Sequence, residues 1–151
     1  MNVWVDADAC PVAIREILFR ASIRTGVNVT LIANQRIPIP RLLTIKMIQV
    51  STGFDAADEE IVKRMAPGDL VITSDIPLAS DAIGKEGLVL SPRGERLTKD
   101  NIGSRLSMRD FMESMRASGV ATGGPATMSQ GDRKAFADEL DRLLTTEARK
   151  A

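Results

Sequence analysis

Val3-Trp4-Val5-Asp6-Ala7-Asp8-Ala9-Cys10-Pro11 reads as a short apolar strand that ends on an aspartate, followed by a second carboxylate and a proline suited to opening a helix. Asp6 and Asp8 therefore fall in the loop between a strand end and a helix start. In α/β proteins built on parallel strands, ligands bind along that edge. Working outward, Ile14, Ile17, Leu18 and Ala21 recur at helical spacing, with Arg15, Glu16 and Arg20 opposite and Gly26 as the stop. Residues 27–33 alternate and are β-branched, which predicts a strand. Strand, helix and strand over about thirty residues predict a βαβ unit with a parallel pair.

The segment 34–40, with Arg36, Pro38 and Pro40, is neither helical nor mid-sheet, because proline lacks the N–H that both ladders need. Residues 46–50 predict a third strand and Ser51-Thr52-Gly53 a turn. Residues 56–65 predict a helix with Ala57, Ile61 and Met65 inward, stopped by Pro67-Gly68. Residues 69–74 (Asp-Leu-Val-Ile-Thr-Ser) are the clearest buried strand, and a helix over 78–85 leads to a short strand, Leu88-Val89-Leu90. This alternation predicts an α/β fold with a mostly parallel sheet flanked by helices in three layers.

Beyond Ser91 the strand signal disappears. Met108, Phe111, Met112 and Met115 make one amphipathic stripe, and Phe136, Leu140, Leu143 and Leu144 another, with a Gly-rich loop over 119–125 between them. Stripes of this kind read as core. With no internal repeat and no linker, residues 1–151 read as one domain, the C-terminal helices from about residue 97 packing on it.

Composition narrows the chemistry. There is no histidine, which excludes Ser-His-Asp and Cys-His catalysis and His-based zinc sites. A lone cysteine excludes an intramolecular disulfide and suits a cytoplasmic protein. Neither a signal peptide nor an apolar run approaching the ~20 residues of a membrane span is apparent. Lys plus Arg balance Asp plus Glu at 20 each, so a polyanion would need a local basic patch. Metal chemistry here must use oxygen ligands.

Carboxylates follow three of the β-like runs: Asp6 and Asp8, then Asp55 and Asp58, then Asp75. On parallel strands these would converge at one sheet edge. Like charges gathered there call for a cation, and Mg²⁺ or Mn²⁺ suits carboxylate oxygens. Such an ion polarises a phosphodiester and lowers the pKa of an attacking water. Each acid also has a plainer reading as a helix cap, with Asp55 and Asp58 resembling a capping box. Asp6 is the exception, because a last strand residue is not a natural cap.

Two other arrangements, one thiol-based and one aspartate-based, fit the sequence less well. A thiol phosphatase loop needs five residues between cysteine and arginine, whereas Cys10 and Arg15 enclose four, so Cys10 reads as a small buried residue. Asp6-Ala7-Asp8 also resembles the nucleophile loop of haloacid-dehalogenase-like phosphatases, with Asp6 as nucleophile and Thr73 or Ser74 as a second motif. However, Ala9-Cys10 stands where glycine then threonine or valine is typical, and the late acidic pair is missing.

Arg93, Arg96, Lys99, Arg105, Arg109 and Arg116 are interspersed with acids, which fits a solvated helical face equally well. Arginine also suits bidentate phosphate contacts, so Arg93 and Arg96, with Ser74, are candidate substrate-binding residues. Arg36, Arg41 and Lys46 could add to a basic patch. Only five aromatics, Trp4 and four Phe, argue against a stacking single-strand binder without catalysis.

Asp6-Ala7-Asp8-Ala9-Cys10-Pro11-Val12, Gly53-Phe54-Asp55-Ala56-Ala57-Asp58 and Gly68-Asp69-Leu70-Val71-Ile72-Thr73-Ser74-Asp75-Ile76-Pro77-Leu78-Ala79 together resemble the YaiI/YqxD family of small bacterial proteins. Gly124-Pro125, Asp132-Arg133 and Phe136 fit its C-terminal segment, so the resemblance covers essentially the whole chain. The family has no established activity. It is regarded as PIN-like, similar in fold to Mg²⁺/Mn²⁺-dependent ribonucleases and flap nucleases. The resemblance implies that Asp6, Asp58 and Asp75 match the metal-holding acids of PIN nucleases, with Asp8 and Asp55 as extra carboxylates. A fourth acid is typical shortly after the third, and here Ile76-Pro77 follows, leaving Asp81 as a weak substitute. The expectation is a metal-dependent nuclease acting on RNA, against the alternatives of a non-catalytic nucleic-acid or protein binding module and the phosphatase.

Overall fold

The computed structural model describes residues 1–53, 56–119 and 128–150. The opening stretch forms β1 (Asn2–Asp6), then a single 3-10 turn (Ala7–Ala9), then α1 (Val12–Thr25). Pro11 is the N-cap, so the helix starts one position later than expected, and Gly26 closes it at φ 78, a backbone that glycine adopts without a Cβ clash. The βαβ unit is completed by β2 (Asn28–Ala33) and followed by β3 (Ile45–Gln49), α2 (Ala56–Arg64), β4 (Leu70–Ile72), α3 (Ile76–Gly84) and β5 (Leu88–Leu90).

Five parallel strands run in the order β3-β2-β1-β4-β5. The chain steps from β1 outward to β3, then returns across β1 to place β4 on its other side. Strand order therefore reverses between β1 and β4, the position at which doubly wound sheets open a crevice beyond the strand ends.

A short β6 (Arg96–Leu97) pairs antiparallel with β5, a strand that the sequence reading missed. Its two residues are too few to show alternation. Gly94, at φ 88, makes the turn into it, and a Cβ there would lie 2.6 Å from the Ala135 carbonyl carbon of α5 (Gln130–Lys150). The turn thus lies directly on the last helix.

Both sheet faces are buried, and the strand pleat divides the apolar residues between them. Val3, Val5, Leu31, Leu70 and Ile72 pack with Ile14 and Leu18 of α1 and Phe136 and Leu140 of α5. Trp4, Ile32 and Val71 face Ile61 of α2 and Leu78 and Ala82 of α3. Three layers result, as expected. The Met108–Phe111 stripe departs from its reading as core. On α4 (Ile102–Ala117), which lies against α3, no residue is buried, and Met108 and Phe111 are 55% and 57% exposed.

Candidate functional site

Asp6 ends β1 on the carboxyl edge of the sheet, and Thr73-Ser74-Asp75 leave β4 beside it. Thr73 Oγ1 donates to Asp6 Oδ2 at 2.9 Å and accepts from the Asp75 backbone N–H at 2.9 Å. Asp6 and Asp75 thus meet through one buried hydroxyl at the strand-order reversal. Asp6 is a buried carboxylate, and removal from water is the main cause holding its pKa above the usual 3.8. The Thr73 hydrogen bond opposes that shift, and the charges of Asp75 and Asp8 add to it.

Asp75 caps α3, its Oδ1 accepting from Leu78 N at 3.0 Å. The functional and capping readings of this residue are therefore compatible, since one carboxylate oxygen serves the helix. Asp8 does not cap α1. It lies in the 3-10 turn, and its Oδ2 accepts from Asn34 N at 2.7 Å, tying the end of β2 to the acid loop. A further link runs from Gln49 Nε2, at the end of β3, to the Asn34 carbonyl at 3.2 Å. The buried Asn34 Oδ1 has no hydrogen-bond partner.

Asp58 sits in the first turn of α2 and lines a groove of about 660 Å³ shared with Asp75, Asp81, Glu59, Lys63 and Arg109. The expected acids therefore assemble in two steps, Asp6 with Asp75 through Thr73, and Asp58 with Asp75 across the groove. Asp55 lies outside the described residues.

Among the described residues, no group of three or more His, Cys, Asp or Glu is gathered closely enough to hold a metal ion. A fully caged ion is thus not what the described residues offer. Mg²⁺, however, keeps several waters and is commonly held by one or two carboxylates together with substrate phosphates. Asp6, whose pKa the Asp75 charge helps to raise, and Asp75 supply oxygen donors that fit that looser mode.

A second groove, of about 570 Å³, opens on the other flank of the same edge, lined by Ala9, Ser74, Ser91, Arg93, Glu95 and Arg105. Two of the expected substrate residues, Ser74 and Arg93, meet there. Arg93 Nη1 donates to Asp132 Oδ2 at 2.8 Å, and Arg105 pairs with Glu95. Asp132 also accepts from Ser129 N, and its carboxyl is held below 3.8 by the Ser129 hydrogen bonds and by Arg93. Arg93 therefore ties the β5–β6 turn to the start of α5. Arg96 stands apart from this groove, 3.9 Å from Glu139.

Cys10 is buried in the α1-side core, and burial pushes its thiol up to about 12, as expected of a packing residue. Thr73, Asn34 and Gln49 carry the site's connections; the sequence points to Thr73 only as a possible phosphatase motif, and to Asn34 and Gln49 not at all. Each ends or follows a strand, and only strand order, invisible in a single chain, brings them to the edge that holds Asp6.

The sequence profile described as "Uncharacterized BCR, YaiI/YqxD family" matches residues 4–146. The UPF0178 protein Tgr7_2584 of Thioalkalivibrio sulfidiphilus is 62% identical over 144 residues, covering 95% of this chain and 98% of that relative. A UPF0178 protein of Colwellia psychrerythraea is 61% identical over 145 residues, covering 96% of each chain. Another, from Shewanella piezotolerans, is 62% identical over 145 residues, or 96% of this chain and 95% of its own. No solved structure matches the chain. Among the described residues, no helix is long and apolar enough to cross a membrane.

Proposed function

For this chain, which belongs to the YaiI/YqxD family, we propose a divalent-metal-dependent phosphodiesterase of the cytoplasm that cleaves RNA at the β1–β4 edge. The observation that carries this reading is the buried Asp6, held by Thr73 and facing the charges of Asp75 and Asp8 where strand order reverses. Neighbouring carboxylates are costly to keep without a counter-charge, and perturbed acids in a crevice cluster at functional sites.

Asp6 and Asp75 would hold Mg²⁺ or Mn²⁺, with Asp58 reaching the same space from the groove it shares with Asp75. Asp55, which lies outside the described residues, is a further candidate from the sequence. When bound, the ion polarises a phosphodiester and lowers the pKa of a water. Thr73 keeps Asp6 oriented by donating to one oxygen only, which leaves Oδ1 for coordination. Asp75 divides its oxygens in the same way, Oδ1 serving the α3 cap. Asp8 fixes the position of Asn34 and adds negative charge near Asp6. Ser74 and Arg93 line the flank on which a phosphate would enter, and Arg96 lies beyond it.

The phosphatase alternative needs an Asp6 oxygen free to attack phosphorus in line. Asp6 Oδ1 would serve either role, and the phosphatase reading is the weaker one because the late acidic pair of such enzymes is missing from the sequence. The test is thermal melting with Mn²⁺ and, in parallel, cleavage of a labelled single-stranded oligoribonucleotide. Mn²⁺ should raise the melting temperature of the wild type and support cleavage, and both effects should vanish in Asp6→Asn and Asp75→Asn. A wild type indifferent to Mn²⁺ in both assays sinks the proposal.

A further inference from the structure

The connection between β2 and β3 forms a third groove, of about 790 Å³, whose only charged lining residues are Arg36 and Arg41. The alternation of its lining explains its shape. Ile37 and Ile39 are half-buried against the α1-side core, while Arg36, Pro38 and Arg41 face outward. Pro38 and Pro40 restrict the backbone, so the two guanidiniums are displayed from a chain with little freedom to lose on binding. Several arginines among the described residues pair with acids, as at Arg24–Asp141, Arg64–Glu60, Arg93–Asp132 and Arg105–Glu95. Neither Arg36 nor Arg41 has a carboxylate partner among the described residues.

Position relates this groove to the acid edge. Gln49 lines it, and the hydrogen bonds from Gln49 to Asn34 and from Asn34 to Asp8 run straight along the carboxyl ends of β3, β2 and β1. Two strand spacings separate the end of β3 from Asp6, roughly 10 Å. The groove thus starts beside the negative crevice at Gln49 and Arg36 and runs along β3 to Arg41, just before the amino end of that strand, a course along which a phosphodiester strand cut at the crevice could be held.

We propose that the Arg36–Arg41 groove seats the sugar–phosphate backbone of a single-stranded nucleic acid on one side of the bond positioned at Asp6. The guanidiniums contact phosphate oxygens, and Ile37, Ile39 and Met47 offer an apolar wall to the nucleotide. The seat carries no built-in base readout, so it tolerates any sequence. This deepens the proposed function and rests on that reading for the location of the cut.

The test is fluorescence anisotropy with a labelled oligouridylate of about a dozen nucleotides in EDTA, where the strand stays intact. The double variant Arg36→Gln/Arg41→Gln should bind about tenfold or more weaker, and its log–log salt slope should fall by about 1.4, two phosphate contacts at ~0.7 each. Arg20→Gln/Arg133→Gln removes the same charge from exposed positions elsewhere and should leave both quantities unchanged. The proposal is overturned if the wild type does not bind or if the groove variant matches it. It is equally overturned if the two variants fall together, or if a phosphopeptide of equal charge displaces the strand as well as RNA does. Mn²⁺-dependent cleavage with an unaffected groove variant would retain the nuclease and discard the groove. A groove effect without any cleavage would do the reverse.

Discussion

Thr73 Oγ1 links Asp6 and Asp75 by donating to the first side chain and accepting from the backbone of the second, each at 2.9 Å. One hydroxyl therefore sets the spacing of two acids that are 69 residues apart in the chain (75 − 6). Replacement by valine keeps the branched shape but leaves the buried Asp6 oxygen and the Asp75 N–H without this partner. Thr73→Val should cost about 1–3 kcal/mol in denaturant unfolding. Thr73→Ser keeps the hydroxyl and should recover most of that loss, together with the Mn²⁺ response. Equal stability of the valine variant and the wild type would remove the hydroxyl from the account.

Asp6 itself should destabilise the metal-free protein. Its pKa is raised by burial and by the nearby acids, so the folded state favours the protonated form more than the unfolded chain does. The penalty is absent below the unfolded value of 3.8, grows as pH rises through the folded value, and is complete above it. Asp6→Asn still accepts from Thr73 while removing the charge. In EDTA at pH 7 it should melt higher than the wild type, each 1 kcal/mol relieved appearing as roughly 2–4 °C. The gain should shrink as pH approaches 3.8. A lower melting temperature for Asp6→Asn throughout would contradict this.

Local patterning carried most of the fold. The strand at 70–72 and the caps at Pro11, Gly26 and Asp75 are legible because apolar runs and special backbone residues act at short range. What escaped depends on distance in sequence. The Asn34–Asp8 bond and the Gln49–Asn34 link require the order β3-β2-β1, and β6 requires the partner strand that gives its two residues an identity. The Met108–Phe111 stripe misled for a related reason. Periodicity shows that a helix has an apolar side, but not whether the fold covers it.

Cys10 provides a check on how tightly the acid loop packs. The thiol is buried beside Arg15 and Asp6, and burial outweighs the cation in pushing it to about 12. At pH 8 the folded protein should react with iodoacetamide only through opening, far more slowly than the urea-unfolded chain. Raising the pH to 9 should change the folded rate only through the opened state, where the thiol regains its ordinary value of 9.0. Rapid stoichiometric labelling of the native protein would show the loop to be open.

Asp69 lies at the opposite, amino-terminal end of β4 and gathers three donors. Its Oδ1 accepts from Asn2 N at 3.0 Å, and its Oδ2 accepts from Trp4 Nε1 at 3.0 Å and from Ala66 N at 2.9 Å. It joins β1, β4 and the end of α2 at the edge remote from Asp6. Asp69→Ala leaves all three donors without this acceptor and should cost about 3 kcal/mol or more, with a red shift of the single tryptophan as Trp4 loosens. Adding Trp4→Phe removes one stranded donor, so the double variant should lose less than the sum of the single changes, a coupling of about 1 kcal/mol. Because Asp69 holds the sheet without touching the acid crevice, the surviving folded protein should keep its Mn²⁺ response. Loss of that response at equal folded fraction would mean that the two edges of the sheet are coupled.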